Sequence, residues 1–457
     1  MAIHNKKFIV SALFFGSVVS LLIILAHSWI SYSVPLLAVP IIALVMVLSF
    51  AILERFVQHN CTYEIDIRLP KRSLLWWFIL YMLYFDGIYG LSHSLYGECF
   101  FMTLSSDLNT GSNFNDISFI FRILLFAFPA CFSAIGGFII PMAVSIRSYG
   151  IVLLTAFASL AFPLALNLQS FIEDLNRADV MNTPAVNLLY WPLYLTFILI
   201  GLATGTLARR KFHPNDNGLL PDEIAHDVHE SALYSKISLL AIIFGCISIA
   251  AICIYIDITY GFYGMRVLFR MMTVEIDPVF ALAMVFIMLA IEKVLTRAKG
   301  ASRINPKRSH TQHLFICILL ITVFIGASSF IYNIHFGIIS LLHTITPTFV
   351  RPWWETGFRI WHALIPALCS FIIVKAIRIR TFSMILCAAL CFLLAFPALH
   401  LIAWAILGDN SFLDTLRVAI QERPVEHWPL FILGSILGAA LAMLLSSRSF
   451  EESMEHA

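Results

Sequence analysis

Charge is scarce in this sequence. Only 12% of its 457 residues are Asp, Glu, Lys or Arg, against 60% hydrophobic residues, and the mean hydropathy is +0.88. A water-soluble domain of this length could not hide so much apolar surface, so the solvent around the fold is lipid. Cysteine chemistry is scarce as well. There are nine cysteines but no Cys-x-x-Cys pair, and only Cys99 is expected outside, which argues against a disulfide framework or a cysteine zinc site. No connection between the apolar runs is long enough to hold an inserted soluble domain. The net charge of +2 points to no charged partner, and neither nucleic acid nor a cofactor is expected. The apolar run after Met1 to Lys7 has no small-residue cleavage site and reads as an anchoring span.

What the sequence does have is apolar runs of about 20 residues, the length a helix needs to cross the hydrocarbon. They predict an all-α polytopic membrane protein of twelve transmembrane helices, roughly 8–30, 33–56, 74–96, 117–144, 148–170, 188–208, 236–258, 271–294, 312–335, 354–377, 381–406 and 427–446. Most of the 29 Lys and Arg, including Lys6, Lys7, Lys71, Arg72, Arg209, Arg210, Lys307 and Arg308, then lie on one side. Acids such as Glu98, Asp107, Glu173 and Asp414 lie on the other. The positive-inside rule places both termini in the cytoplasm.

The chain also repeats itself. Phe121-Arg122-Ile123 returns as Phe358-Arg359-Ile360, Pro129 as Pro366, and Trp191-Pro192-Leu193 as Trp428-Pro429-Leu430, each shifted by 237. Pro70-Lys71-Arg72-Ser73 returns 236 residues later, and Glu54 matches Glu292 at 238. Leu160-Ala161-Phe162-Pro163 matches Leu394-Ala395-Phe396-Pro397 at 234. One tripeptide match is chance; a series that drifts by four residues is duplication. Six spans per repeat is an even number, so the repeats are parallel, related by an axis along the membrane normal. The expected units are a bundle of 1–210, a cytoplasmic linker of 211–235 and a second bundle of 236–457.

Residues within this frame resemble the major facilitator superfamily, and the resemblance covers nearly the whole chain. Phe121-Arg122, Pro129, Gly136-Gly137, Pro141 and Arg147 resemble that family's helix 4 pattern of an arginine, then glycines, a proline and a loop arginine. Glu54-Arg55 stands where the family places an acidic-basic pair, and Glu292-Lys293 repeats it. Glu replaces the usual Asp, and the loop glycines are missing. Pro163 lacks the glycines of a drug–proton antiporter signature, which disfavours a drug exporter. Independently of the family, carboxylates at a helix end can bind cations and the N-terminus of a neighbouring helix, holding the two bundles together on one side as a cytoplasmic latch; neutralising nearby loop arginines is the plain alternative.

Charges inside the spans are costly, about 2.5–3.5 kcal/mol at a helix centre on insertion scales, and therefore informative. Asp86 lies mid-helix within Leu83-Tyr84-Phe85-Asp86-Gly87-Ile88-Tyr89. It is a candidate for proton coupling or substrate contact; a packing aspartate hydrogen-bonded to Tyr or Ser is the plain alternative. Its counterpart region near Tyr332-Asn333 is uncharged, so its role is not symmetric. Arg122 and Arg359 form a duplicated pair that would suit an anionic group if both face the axis; snorkelling to the headgroups competes with that reading. His362 shares the face of Arg359 and is a second candidate for proton relay or substrate contact. His226 and His229 in the linker suit a solvated helix better than a metal site. Gly201 and Gly205 offer a small-residue face for close helix contact. Prolines 129, 163, 366 and 397 fall at matched positions inside four spans.

Together these features suggest a non-enzymatic secondary transporter, a monomer working by alternating access. Proton coupling and a small organic solute, anionic or zwitterionic, are expected. The alternative is an integral-membrane enzyme or flippase acting on lipids or lipid-linked glycans. Short loops make a bacterial inner membrane the expected location.

Overall fold

The computed structural model describes residues 9–19, 38–60, 74–92, 130–166 (without 145 and 147), 191–212, 238–243, 281–294, 310–345, 350–407 (without 378 and 380) and 428–455. Among these residues the backbone forms twelve helical segments and no strand. They are α1 (Ile9–Val19), α2 (Ala38–Asn60), α3 (Leu74–Ser92), α4 (Ala130–Ala143), α5 (Tyr149–Leu166) and α6 (Trp191–Phe212). After these come α7 (238–243), α8 (281–294), α9 (His310–Ile345), α10 (Val350–Ile377), α11 (Phe382–Leu407) and α12 (Trp428–Glu455). Each coincides with one of the helices expected from sequence. Four carry a stretch long and apolar enough to cross a membrane: Val39–Phe56, Leu74–Ser92, Trp191–Lys211 and Gln312–Ser329. Shorter apolar stretches lie in α1, α4, α5, α10, α11 and α12.

Two helices overrun their expected ends by nine residues or more. Helix α9 runs to Ile345 rather than 335, because Phe336 to Leu342 continues apolar with a single glycine that a helix tolerates. Helix α12 runs to Glu455 rather than 446, a polar extension of an apolar helix that has already begun. Of the expected in-helix prolines, Pro163, Pro366 and Pro397 lie inside α5, α10 and α11, whereas Pro129 lies outside the described residues.

The faces of α2 show what solvent the fold is built for. Val39, Ala43, Val47, Phe50 and Glu54 recur every three to four residues and are buried. Ile41, Ile42, Val45, Leu48, Ile52 and Phe56 are exposed along the same helix. In water such a stripe would be an aggregation surface; against acyl chains it is the expected exterior.

Contacts group the chain into two compact units, Met1–Leu220 with His310–Ile338, and Pro221–Ser309 with Ile339–Ala457. In the first unit α3 crosses α9 so closely that only glycine fits. A Cβ on Gly87 would overlap the carbonyl oxygen of Thr322, and a Cβ on Gly326 would overlap that of Leu83. The contact is reciprocal. Gly87 and Gly326 differ by 239 positions (326 − 87), and so do Leu83 and Thr322 (322 − 83). That spacing is one residue beyond the 234–238 range of the sequence matches. Reciprocal pairing of this kind is what two copies of one element make across a two-fold axis. Without a hydrophobic drive between helices in lipid, such close backbone approach is a main source of association.

Valine at position 326 should force α3 and α9 apart at a cost of about 1–3 kcal/mol. The melting temperature of Gly326→Val in detergent is therefore expected to fall. Gly90→Ala is the control, since a Cβ there meets nothing closer than 3.7 Å, and its melting temperature should hold or rise.

Candidate functional site

Two constellations of polar groups stand out in an otherwise apolar interior. The first is a carboxylate clamp that occurs once in each unit. In the first unit Glu54 of α2 reaches the start of α5. Its Oε1 accepts a hydrogen bond from the backbone N–H of Tyr149 at 2.9 Å, and its Oε2 accepts one from Gly150 at 2.7 Å. The Ser148 hydroxyl donates to the same Oε2 at 2.8 Å and accepts from the N–H of Ile151 at 3.2 Å. The first three N–H groups of α5 are thus all bonded, two by a carboxylate from another helix and one by a serine N-cap. Gly150 makes the approach possible, since a Cβ there would lie 2.9 Å from Oε2 and 3.0 Å from Ala51 Cβ.

The second unit repeats the device. Glu292 of α8 accepts from the N–H of Phe382 through Oε1 and from that of Ser383 through Oε2, both at 3.0 Å. Thr381 precedes Phe382 as Ser148 precedes Tyr149. Both carboxylates are buried, at 2% and 7% exposure, whereas the adjacent Arg55 and Lys293 are exposed. The helix end that each carboxylate holds belongs to its own unit. A negative charge at a helix N-terminus meets both the unsatisfied donors and the positive end of the dipole.

The clamp extends further in the first unit. The hydroxyl of Tyr149 donates to Thr206 Oγ1 of α6 at 2.7 Å, and Thr206 in turn donates to the carbonyl of Leu202. Arg209 Nη1 donates to the carbonyl of Pro141 at 3.0 Å, covering one of the last carbonyls of α4. Nearby, Gly201 and Gly205 seat α6 on the backbone of α4 at Ala134 and Phe138, the small-residue contact that their spacing suggests. In the second unit Gly434 and Gly438 of α12 meet α10 at Ala363 and Ala367 in the same manner.

The second constellation surrounds Asp86, in the C-terminal half of α3 and 3% exposed. Ser329 of α9 hydrogen-bonds its carboxylate, while Oδ2 is buried without a hydrogen-bond partner. An unsatisfied buried oxygen costs about 1–3 kcal/mol, and such groups in a native fold call for an explanation. At the shift of 239 that relates the two glycines of the crossing, the position that answers Asp86 is Ile325. The counterpart of Ser329 is Gly90. A polar pair on one flank of the crossing therefore corresponds to an apolar pair on the other.

On the side of α3 that faces α4, α5 and α6 lies a cavity of about 20 Å³, which Asp86 itself does not line. Its polar lining is hydroxyl: Tyr89 and Ser92 from α3, Ser133 from α4, Ser159 from α5 and Tyr194 from α6. Tyr89 and Tyr194 meet edge to face at 6.0 Å, and Tyr89 stands within electrostatic reach of Asp86. Ser159 donates its own proton to the carbonyl of Ala156, so its lone pairs remain available as acceptors. Across the α3/α4 contact, the Tyr84 hydroxyl donates to the Gly136 carbonyl at 2.9 Å.

Of the residues singled out from sequence, the structure places Glu54 and Glu292 in matching clamps and Asp86 against Ser329 of α9. Arg359 and His362 lie on α10, with side chains outside the described set, and Arg122 lies outside the described residues. The linker histidines 226 and 229 are outside it as well. No His/Cys/Asp/Glu cluster able to hold a metal occurs among the described residues. The hydroxyl residues of the cavity escaped the sequence reading. Their signal, Tyr89 and Ser92 three apart on one helix face, is weak because serine and tyrosine are common in membrane helices. The chain matches no family model, no curated protein and no solved structure. Its class therefore rests on its own features: a helical protein with apolar helices of membrane-crossing length.

If the clamps fix the helix starts, Glu54→Gln should destabilise the protein although shape is kept. Glutamine has one acceptor oxygen, so one N–H of α5 would face an amide NH2 instead. A loss of about 1–3 kcal/mol is expected, read as a lower melting temperature in detergent. Glu292→Gln should show a loss of similar size, and a variant that melts at the wild-type temperature would refute the clamp.

Proposed function

We propose that this protein is a secondary active transporter of a small organic solute, coupled to protons through Asp86. The observation that carries the reading is a carboxylate buried within a helix with one oxygen unpartnered. Carboxylates inside membrane helices are rare and mark ion pathways and proton relays. A purely structural aspartate would be expected to bond through both oxygens.

The finer architecture belongs to the same proposal: twelve spans in two parallel repeats, resembling the major facilitator superfamily, with both termini cytoplasmic in a bacterial inner membrane. Support comes from the matching carboxylate clamps and the reciprocal crossing of α3 and α9. The substrate is proposed to be anionic or zwitterionic, on the strength of the duplicated Arg122 and Arg359. Replacing either with Lys keeps the charge and removes the planar fork. Substrate affinity in proteoliposomes should then fall about tenfold or more, a loss of at least one bidentate bond, while expression is retained.

Asp86→Asn tests the coupling directly. In proteoliposomes, concentrative uptake driven by a proton gradient should be abolished while counterflow exchange persists, because exchange needs no net proton movement. Loss of both activities together would assign Asp86 to substrate binding or folding instead. Normal concentrative uptake would remove it from the mechanism.

A further inference from the structure

The cavity between α3, α4, α5 and α6 has a definite capacity. A buried water needs roughly 10–15 Å³ of such space and two to four polar partners, and cavities that stay dry are apolar. At about 20 Å³, with the hydroxyls of Tyr89, Ser92, Ser133, Ser159 and Tyr194 on its walls, the site has room for one water and little else. An organic solute does not fit. Neither a carboxylate nor a basic side chain is among the described residues that line it, so an ion would meet no opposite charge there.

The second unit has something else at the same positions. Ser159 stands ten residues beyond Tyr149, whose N–H Glu54 holds (159 − 149). Phe392 stands ten beyond Phe382, which Glu292 holds in the same way (392 − 382). Tyr194 is three beyond Trp191 of α6 (194 − 191), and Phe431 is three beyond Trp428 of α12 (431 − 428). Counted from these helix starts, Phe392 and Phe431 answer Ser159 and Tyr194. Their rings stack at 4.8 Å with 26° between the planes, an apolar contact that leaves hydroxyl chemistry out. In the first unit a serine takes the place of one ring and a phenol that of the other, and both line the cavity.

We propose that this cavity is a binding site for one ordered water, bonded to the serine hydroxyls of α3, α4 and α5. The count of donors and acceptors leads there. Ser159 gives its proton to the Ala156 carbonyl and faces the cavity as an acceptor, so its partner must bring a proton. Ser92 and Ser133 each carry one proton to give and lone pairs to receive with. A water donates twice and accepts twice, so a single molecule serves all three walls. A cation offers no lone pair to the serine protons. The contact among these helices is thus wet in the first unit, where the second unit packs two rings. The site is independent of the role given to Asp86.

The test is X-ray radiolytic labelling of the full-length protein in lipid, in which hydroxyl radicals formed from a bound water oxidise the side chains beside it. Phe85 lines the cavity, and its 3% exposure matches the 4% of both Phe392 and Phe431, so bulk solvent reaches the three rings similarly. Phe85 should be oxidised, and Phe392 and Phe431 spared. Tyr194 should likewise be oxidised, while Tyr84, fully buried and not part of the lining, is spared. Ser133→Val removes one partner and fills the space, and should abolish the signal at Phe85 and Tyr194. Ser92→Ala takes away a partner alone and should reduce it. Equal labelling of Phe85, Phe392 and Phe431 in the wild type would overturn the site, whether or not either variant folds. A folded Ser133→Val protein that labels like the wild type would overturn it too. A signal lost when sodium chloride replaces choline chloride would assign the cavity to a cation and overturn the water. None of these readouts involves transport, so the coupling role of Asp86 stands or falls separately.

Discussion

A helix start buried in protein leaves N–H groups that no water can satisfy, and much of this structure answers that constraint. Glu54 and Glu292 supply the missing acceptors, each from a neighbouring helix, so that a local deficiency becomes a tie between elements. In the first unit the tie runs on. Glu54 fixes Tyr149, Tyr149 fixes Thr206, and α2, α5 and α6 become one body. The walls of the hydroxyl cavity come from α3, α4, α5 and α6, and the last two are held by this network. A cavity of one-water size is meaningful only if its walls keep their places.

Close packing supplies the remaining order. Gly87 and Gly326 bring two backbones into direct contact, and Gly201 and Gly205 do the same between α4 and α6. These contacts set registers to within a residue, which long apolar side chains in lipid would not do. The register at Gly87 is also what places Asp86 against Ser329.

Much of this was legible in the sequence, and the reasons are physical. Apolar run length gave twelve helical segments because the hydrocarbon thickness sets a minimum length that few other features mimic. Glu54 and Glu292 were visible as a duplicated acid at helix ends, and Asp86 as a charge where charges are costly. Helix ends were less legible: α9 and α12 overran their expected limits, since hydropathy marks where lipid stops and not where a helix stops. The hydroxyl cavity was hidden because it gathers single residues from four helices, and no local pattern records such a gathering. The partners of α3 were hidden for a related reason. Only a three-dimensional crossing reveals that Gly87 answers Gly326, although both glycines stand in plain view.

The reciprocal crossing carries a consequence for symmetry itself. Two unlinked copies of one sequence meeting at such a point must share every substitution, so a carboxylate on one flank would be mirrored on the other. Two like charges flanking one dry contact repel, and one of them would be held uncharged. A single chain carrying both copies escapes this restriction, because each position changes alone. On the proposed reading of the chain as two fused repeats, Asp86 with Ser329 on one flank and Ile325 with Gly90 on the other is an arrangement open only to a single chain. The pair thereby has a direction, with a lone acid on one side of a contact that the two backbones make evenly.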